Sequence, residues 1–250
     1  MPKISVIMAA FNEEANIQNA ILSIQEQTFK EWELVIVDDG SDDGTLNLIN
    51  DAVSLDSRIT CLSNDKNIGL AMSLNKAISF SNSEYIARMD ADDYSLPDRL
   101  ETQLNFMQGN PDISVLGTGG IYCDQNGTEI KKVIFPEHHN EIVKWLNKSS
   151  PFLHPSVLIR RSFFQKIGGY DDSYYRAQDY DLWHRGKNIA RYCNLQIPLI
   201  NYTDKEKLSI QSVADSFRIR IKHAGSTKEL LILLFWLLVG VVKRIMRFLN

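Results

Sequence analysis

Apolar residues in the first part of the chain fall into short continuous runs that alternate with stretches of helical spacing. The run Ile4-Ser5-Val6-Ile7-Met8-Ala9 has no helical period and predicts a buried strand. Asn12 is placed to cap the segment after it, where Ile17, Ala20, Ile21 and Ile24 mark one helix face. Leu34-Val35-Ile36-Val37 predicts a second strand, and Leu46, Ile49 and Val53 a second helix. Residues 59–62 read as a third strand, 70–80 as a helix and 85–89 as a fourth strand. This alternation predicts an α/β fold with a Rossmann-like, mostly parallel central sheet flanked by helices.

Beyond it the pattern is less regular. Helices are predicted at 98–107 and 178–189, strands at 113–116 and 156–159, and helical spacing recurs at Ile142, Trp145 and Leu146. Residues 121–135 read as an extended, hairpin-like region with a turn at Gln125-Asn126-Gly127. No linker-like shift in composition separates the two halves.

Polar clusters recur where a predicted strand ends. After Val37 comes Asp38-Asp39-Gly40-Ser41-Asp42-Asp43-Gly44-Thr45, and after Met89 come Asp90, Asp92 and Asp93. Carboxylates this close repel, so they stay ionised together only with a cation or a set of donors among them. Mn2+ or Mg2+ suits such a site, taking one or two carboxylates and leaving positions to water and phosphate. A solvated acidic turn before a helix is the other reading of the same residues. There is no GxGxxG and no GxxxxGK[ST], so neither a dinucleotide oxidoreductase nor a P-loop NTPase is supported.

The net charge of −4 argues against a nucleic-acid partner, although from Arg218 onward there are seven Lys or Arg and one acid, Glu229. Cys61, Cys123 and Cys193 have no spacing that indicates a disulfide framework or a zinc site, and nothing at the N-terminus reads as a secretory signal. Residues 230–242 are almost wholly apolar and lead into Lys243-Arg244-Ile245-Met246-Arg247. That run falls short of the ~20 residues that span a bilayer. It predicts either a helix on an anionic membrane surface or a buried or dimer-forming helix.

Five segments in order resemble the inverting family-2 glycosyltransferases of GT-A fold: Phe11-Asn12-Glu13-Glu14 after the first strand, Val37 to Thr45, Asn67-Ile68-Gly69-Leu70-Ala71, Asp90-Ala91-Asp92-Asp93, and Gln178-Asp179-Tyr180-Asp181-Leu182-Trp183. The resemblance implies a nucleotide-sugar site made by Ala10, Phe11, Glu13, Asp39, Asn67, Gly69, Asp90 and Ala91. It implies a metal ligand at Asp92, with His154 as a further candidate and Asp93 as a structural residue, and a catalytic base at Asp179. Many family members carry an Arg where this chain has Leu74, so the contact of that Arg is missing or is supplied by Lys66 or Arg88.

The Gln-x-x-Arg-Trp signature of processive synthases is absent, so single-sugar addition is expected. The donor expected from the family is a UDP-sugar, and the basic apolar tail points to a lipid-linked saccharide acceptor. Together these imply surface-polysaccharide synthesis at the cytoplasmic face of the plasma membrane, with the protein bound peripherally. A polyprenyl-phosphate glycosyltransferase and a non-catalytic nucleotide-sugar binding module are the rival readings. The expected organisation is a glycosyltransferase domain over 1–210, with a nucleotide-binding half at 1–95 and an acceptor-binding half at 96–210. A membrane-associating helical region would then occupy 211–250.

Overall fold

The computed structural model describes residues 2–204 and 210–224. The apolar tail expected to meet a membrane, 230–249, lies outside the described residues. Strands β1 (Ile4–Ala10), β2 (Trp32–Asp38), β3 (Ile59–Ser63) and β4 (Tyr85–Arg88) alternate with helices α1 (Ile17–Gln25), α2 (Thr45–Leu55) and α3 (Leu70–Phe80), as the hydrophobic pattern predicts. Then follow β5 (Tyr94–Ser95), α4 (Arg99–Gly109), β6 (Ile113–Cys123), β7 (Glu129–Val133), α5 (His139–Trp145), β8 (Leu158–Arg160), α6 (Arg161–Ile167), α7 (Gln178–Gly186), β9 (Arg191–Thr203) and α8 (Ile210–Lys222).

The strands form one sheet in the order β3-β2-β1-β4-β8-β6-β9-β5, with β7 beside β6. Its first half is parallel, and β8 joins β4 antiparallel. The chain winds outward from β1 through β2 to β3, then returns to place β4 on the other side of β1. The crevice beyond the carboxyl ends of β1 and β4 is therefore a topological switch point, the place where open α/β sheets bind ligands.

Two apolar layers cover the sheet. Alternate residues of β1 face opposite ways, so Ile4, Val6 and Met8 pack with Ile17, Ile21, Ile24 and Leu104, whereas Ile7 packs with Leu74, Ile86 and Trp183. Such double-sided burial explains why the parallel strands read as unbroken apolar runs.

The second half departs more from the pattern. Helix α7 stops at Gly186, and the thirteen-residue β9 beyond it was not expected. Its middle is exposed at Gln196 and Ile197, it contains Pro198, and its pairing with β6 slips at Thr118 and Gly119, so no regular alternation announces it. The short α6 and β5 are likewise too brief to leave a periodic signal.

Gly40 holds the loop after β2 at φ +73°, and a Cβ there would lie 2.6 Å from the Lys66 carbonyl carbon. Gly40→Ala is expected to destabilise the fold by roughly 2 kcal/mol, because strain and a backbone clash act together. Urea denaturation checks this.

Candidate active site

The cleft at the switch point has a volume of about 780 Å³. Three loops that leave the parallel strands build one end of it. After β1, Ala10 and Phe11 face the cleft, and Asn12 takes a left-handed φ of 55°. Asn12 then braces the β2 loop: its N–H donates to Ser41 Oγ at 3.1 Å, and its Oδ1 accepts from Asp42 N at 3.0 Å. The Glu13 N–H donates to Thr45 Oγ1 at 2.8 Å, tying the first loop to the start of α2.

Asp39 is buried and accepts hydrogen bonds from Asn64 Nδ2 at 2.8 Å and from the N–H groups of Ile68 and Gly69 at 2.9 Å each. An ionised carboxylate has about four acceptor positions. Asp39 therefore fixes the Asn67–Gly69 loop and keeps an acceptor position for a ligand. Gly69 sits at φ 97°, ψ 156°, a conformation open essentially to glycine alone, which brings its N–H onto Asp39.

Asp90, Asp92 and Asp93 follow β4 and bring carboxylate oxygens within 4.8 Å of one another. Asp90 also forms an ion pair with Arg88, whose side chain is 2 % exposed. Asp93 is buried and accepts from the Thr203 N–H at 2.8 Å through Oδ1, while its Oδ2 is buried without a hydrogen-bond partner. Burial, then the charges of Asp90 and Asp92, push its carboxyl well above the ordinary range. An orphaned buried carboxylate oxygen beside two further carboxylates fits a hard divalent cation, which would remove the mutual repulsion. Asp93, read from sequence as structural, thus belongs to the acidic group.

Arg88 differs from expectation. It does not line the cleft but lies behind the acids, held by Asp90, and its carbonyl accepts from the equally buried Arg99 Nη2 at 2.8 Å. The guanidinium is buried, pairs with Asp90 through Nη2, and leaves Nε and Nη1 without a hydrogen-bond partner among the described residues. Lys66 also lies outside the lining, and Leu74 is core.

His154 does line the cleft, where its Nε2 bonds Tyr170 Oη at 2.8 Å. Burial, then the charge of Arg88, holds the imidazole pKa well below its ordinary value, so the ring is neutral. It is not one of the three side chains, Asp90, Asp92 and Asp93, whose carboxylates gather among the described residues.

At the other end, α7 opens with Ala177 in a left-handed conformation, φ 60°, directly before Gln178 and Asp179. Strain of this kind in a residue with a Cβ costs about 1 kcal/mol and concentrates at functional sites. Asp179 Oδ2 accepts from Ser150 Oγ at 3.1 Å. Burial raises the Asp179 pKa above the ordinary carboxylate value, against the lowering effect of the Ser150 bond. Trp183, at the end of the same motif, is fully buried against Phe152, with ring centroids 4.9 Å apart.

Asp181 is fully buried and works outward from the cleft. It accepts from Arg185 Nε at 2.6 Å, His223 Nε2 at 3.1 Å and Lys222 Nζ at 3.3 Å, pinning α8 to α7. Burial raises its pKa, but the hydrogen bonds from His223 and Arg185 outweigh that and hold it below the ordinary value. Asp181→Ala is expected to cost about 3 kcal/mol and loosen α8, since it strands partly buried cations. A carboxyl whose folded pKa is depressed contributes fully above its unfolded value of about 3.9 and loses that contribution as pH falls below it. Urea midpoints of parent and variant at pH 7 and pH 3 should therefore converge at the lower pH.

Sequence reading missed α8 as part of the site. The cations of 218–222 were assigned to a membrane-facing surface, yet Lys222 is spent on Asp171 and Asp181, Arg218 lies over Tyr174, and Arg220 faces the cleft with Val213 and Ser216. Lys148, Ser150, Arg176 and Tyr202 also line it and had no sequence signal. Among the described residues no helix is long and apolar enough to cross a membrane.

Ala10, Phe11, Glu13, Asp39, Asn67, Gly69, Asp90, Ala91, Asp92, His154 and Asp179 all line this one cleft, whereas Arg88 and Lys66 do not. A family model described as "Glycosyl transferase family 2" matches residues 5–168. The chain is 36% identical to the O-antigen biosynthesis glycosyltransferase WbnJ of Escherichia coli over 214 residues, covering 84% of this chain and 82% of that one. It is 31% identical to the E. coli UDP-Gal:alpha-D-GlcNAc-diphosphoundecaprenol beta-1,3-galactosyltransferase over 198 residues, covering 77% and 70%. It spans 64% and 66% of the length of two further curated relatives, each 37% identical. S. aureus TarS in complex with UDP superposes with a TM-score of 0.72 at 22% identity, over 90% of this chain and 66% of that one, which gives the same α/β GT-A-like fold. With the family match running from β1 through the acidic strand end to α6, and relatives aligned along most of their own length, this chain belongs to glycosyl transferase family 2.

Proposed function

We propose that the protein transfers a single sugar, with inversion, from a UDP-sugar to a hydroxyl of a lipid-linked saccharide in surface-polysaccharide synthesis. The carrying observation is one cleft with gathered carboxylates at a strand end and, apart from them, a carboxyl whose pKa burial raises. Ala10, Phe11, Glu13, Asp39, Asn67 and Gly69 line the end assigned to the nucleoside, where Asp39 has an acceptor position for a uracil or ribose donor. Asp90 and Ala91 are assigned to the ribose and diphosphate, and Asp92 with Asp93 to a divalent cation. That cation, when bound, supplies Lewis-acid neutralisation of the departing diphosphate.

Asp179 is the proposed general base. Ser150 donates to Oδ2 and orients the carboxyl at the cleft, and burial favours its taking up a proton. Since Nε2 of His154 is held by Tyr170, we assign this residue to shaping the cleft wall and not to the cation. The relative named as a UDP-galactose-dependent enzyme with a diphosphoundecaprenol acceptor supports the donor and acceptor classes. The tail from 225 onward is proposed to hold the protein on the membrane that carries that acceptor.

A panel of radiolabelled nucleotide sugars, offered with cell membranes as acceptor source and with or without manganese, tests the whole reading. Label from a UDP-sugar should enter the lipid extract only with the metal. Absence of transfer from every donor would favour a binding module, and an acid-labile product a polyprenyl-phosphate transferase.

A further inference from the structure

Several cations of this fold are matched to acids, among them Arg88 to Asp90, Arg185 to Asp181, and Lys222 to Asp171 and Asp181. Three that line the cleft are not. Lys148 lies over the Trp145 ring at 5.1 Å, Arg176 over the Tyr175 ring at 5.8 Å, and Arg220 donates through Nε to the Ser216 carbonyl at 3.2 Å. Among the described residues no carboxylate pairs with any of these three side chains. Grouped positive charge in a cleft focuses the field toward an anion.

Their position says which anion. All three lie on the Asp179 side of the fold: Lys148 adjoins the Ser149-Ser150 turn that donates to Asp179, Arg176 lies in the loop just before α7, and Arg220 stands on α8, which is pinned to α7 through Asp181. The acids assigned to donor and metal follow β4 instead. Exposed apolar side chains accompany the cations: Trp145 at 37 %, Tyr175 at 73 % and Val213 at 37 %. A cation beside an exposed aromatic suits the junction between a charged headgroup and an apolar chain.

We infer that Lys148, Arg176 and Arg220 form an acceptor-phosphate subsite, which selects a saccharide carried on a lipid diphosphate by binding the diphosphate itself. This deepens the function proposed above and rests on it for the acceptor side of the cleft. Arg176 and Arg220 offer forked donors that match phosphate oxygens, and Lys148 adds a point charge.

The probe is farnesyl diphosphate, titrated by NMR or calorimetry into the full chain saturated with UDP and manganese, with farnesol as the uncharged control. Farnesyl diphosphate should bind alongside UDP and farnesol should not. Each of Lys148→Gln, Arg176→Gln and Arg220→Gln should weaken it about tenfold, the loss of one charge-assisted contact, with UDP affinity unchanged. Exclusion of farnesyl diphosphate by UDP, or UDP affinity falling in step with the substitutions, would overturn the inference and give these cations to the donor. Equal binding by parent and variants would overturn it as well. Failure of UDP itself to bind strikes the donor assignment instead, and the farnesyl diphosphate comparison is then read on the UDP-free protein.

Discussion

Asp179→Asn is expected to lower sugar transfer by about a thousandfold while leaving UDP and manganese binding within error of the parent. The amide keeps the shape of the side chain and can still meet Ser150, but it has no basic oxygen to take the acceptor proton. Burial already disfavours the charge at this position, so the variant should be at least as stable as the parent. Radiolabel transfer alongside UDP titration separates the two effects. The pH profile gives an independent reading. A base must be deprotonated to act, so parent activity should rise with pH through a midpoint above the ordinary aspartate value of about 3.9, and Asp179→Asn should lose that limb. Equal transfer by parent and variant would remove Asp179 from the chemistry.

Asp92→Asn should weaken manganese binding by about a hundredfold or more, since even outer partners of a metal typically contribute 10–100-fold. Transfer should fall with it. Manganese titration followed by electron paramagnetic resonance, with UDP present, reads the site without any turnover. Asp93→Asn discriminates further. If Oδ2 of Asp93 faces the cation, manganese affinity falls in this variant too; if Asp93 serves only to hold β9 through the Thr203 N–H, urea stability falls and manganese affinity stays. Manganese bound equally by Asp92→Asn and parent would place the cation elsewhere.

Much of this was legible in the chain, for physical reasons that differ by region. Parallel strands covered on both faces must be apolar throughout, so β1, β2 and β4 announced themselves, and the acids beyond Val37 and Met89 marked where those strands end. Asp179 stood out only through its motif, because nothing in its own neighbourhood of sequence reveals that Ser150 approaches it. Arg88 was expected to stand in for the arginine that relatives carry at the Leu74 position, but sequence does not show that it is buried against Asp90 and outside the cleft lining. The unexpected β9 is irregular where it pairs, and the basic residues of α8 gave a charge count without a direction: Lys222 turns to Asp181, whereas Arg220 turns to the cleft.

The place of α8 in the chain bears on how this protein is made. Among the described residues every other wall of the cleft is translated before it, and α8 is held to the body by Asp181 with Lys222 and His223, and by Asp215 accepting from the Arg176 N–H. A nascent chain that has emerged only through β9 therefore carries the strands and acids of the nucleotide end but lacks Val213, Ser216 and Arg220 on the facing side. Domains fold from the N-terminus as they are synthesised. On the function proposed above, nucleotide recognition would thus mature first, and acceptor recognition only once α8 has left the ribosome.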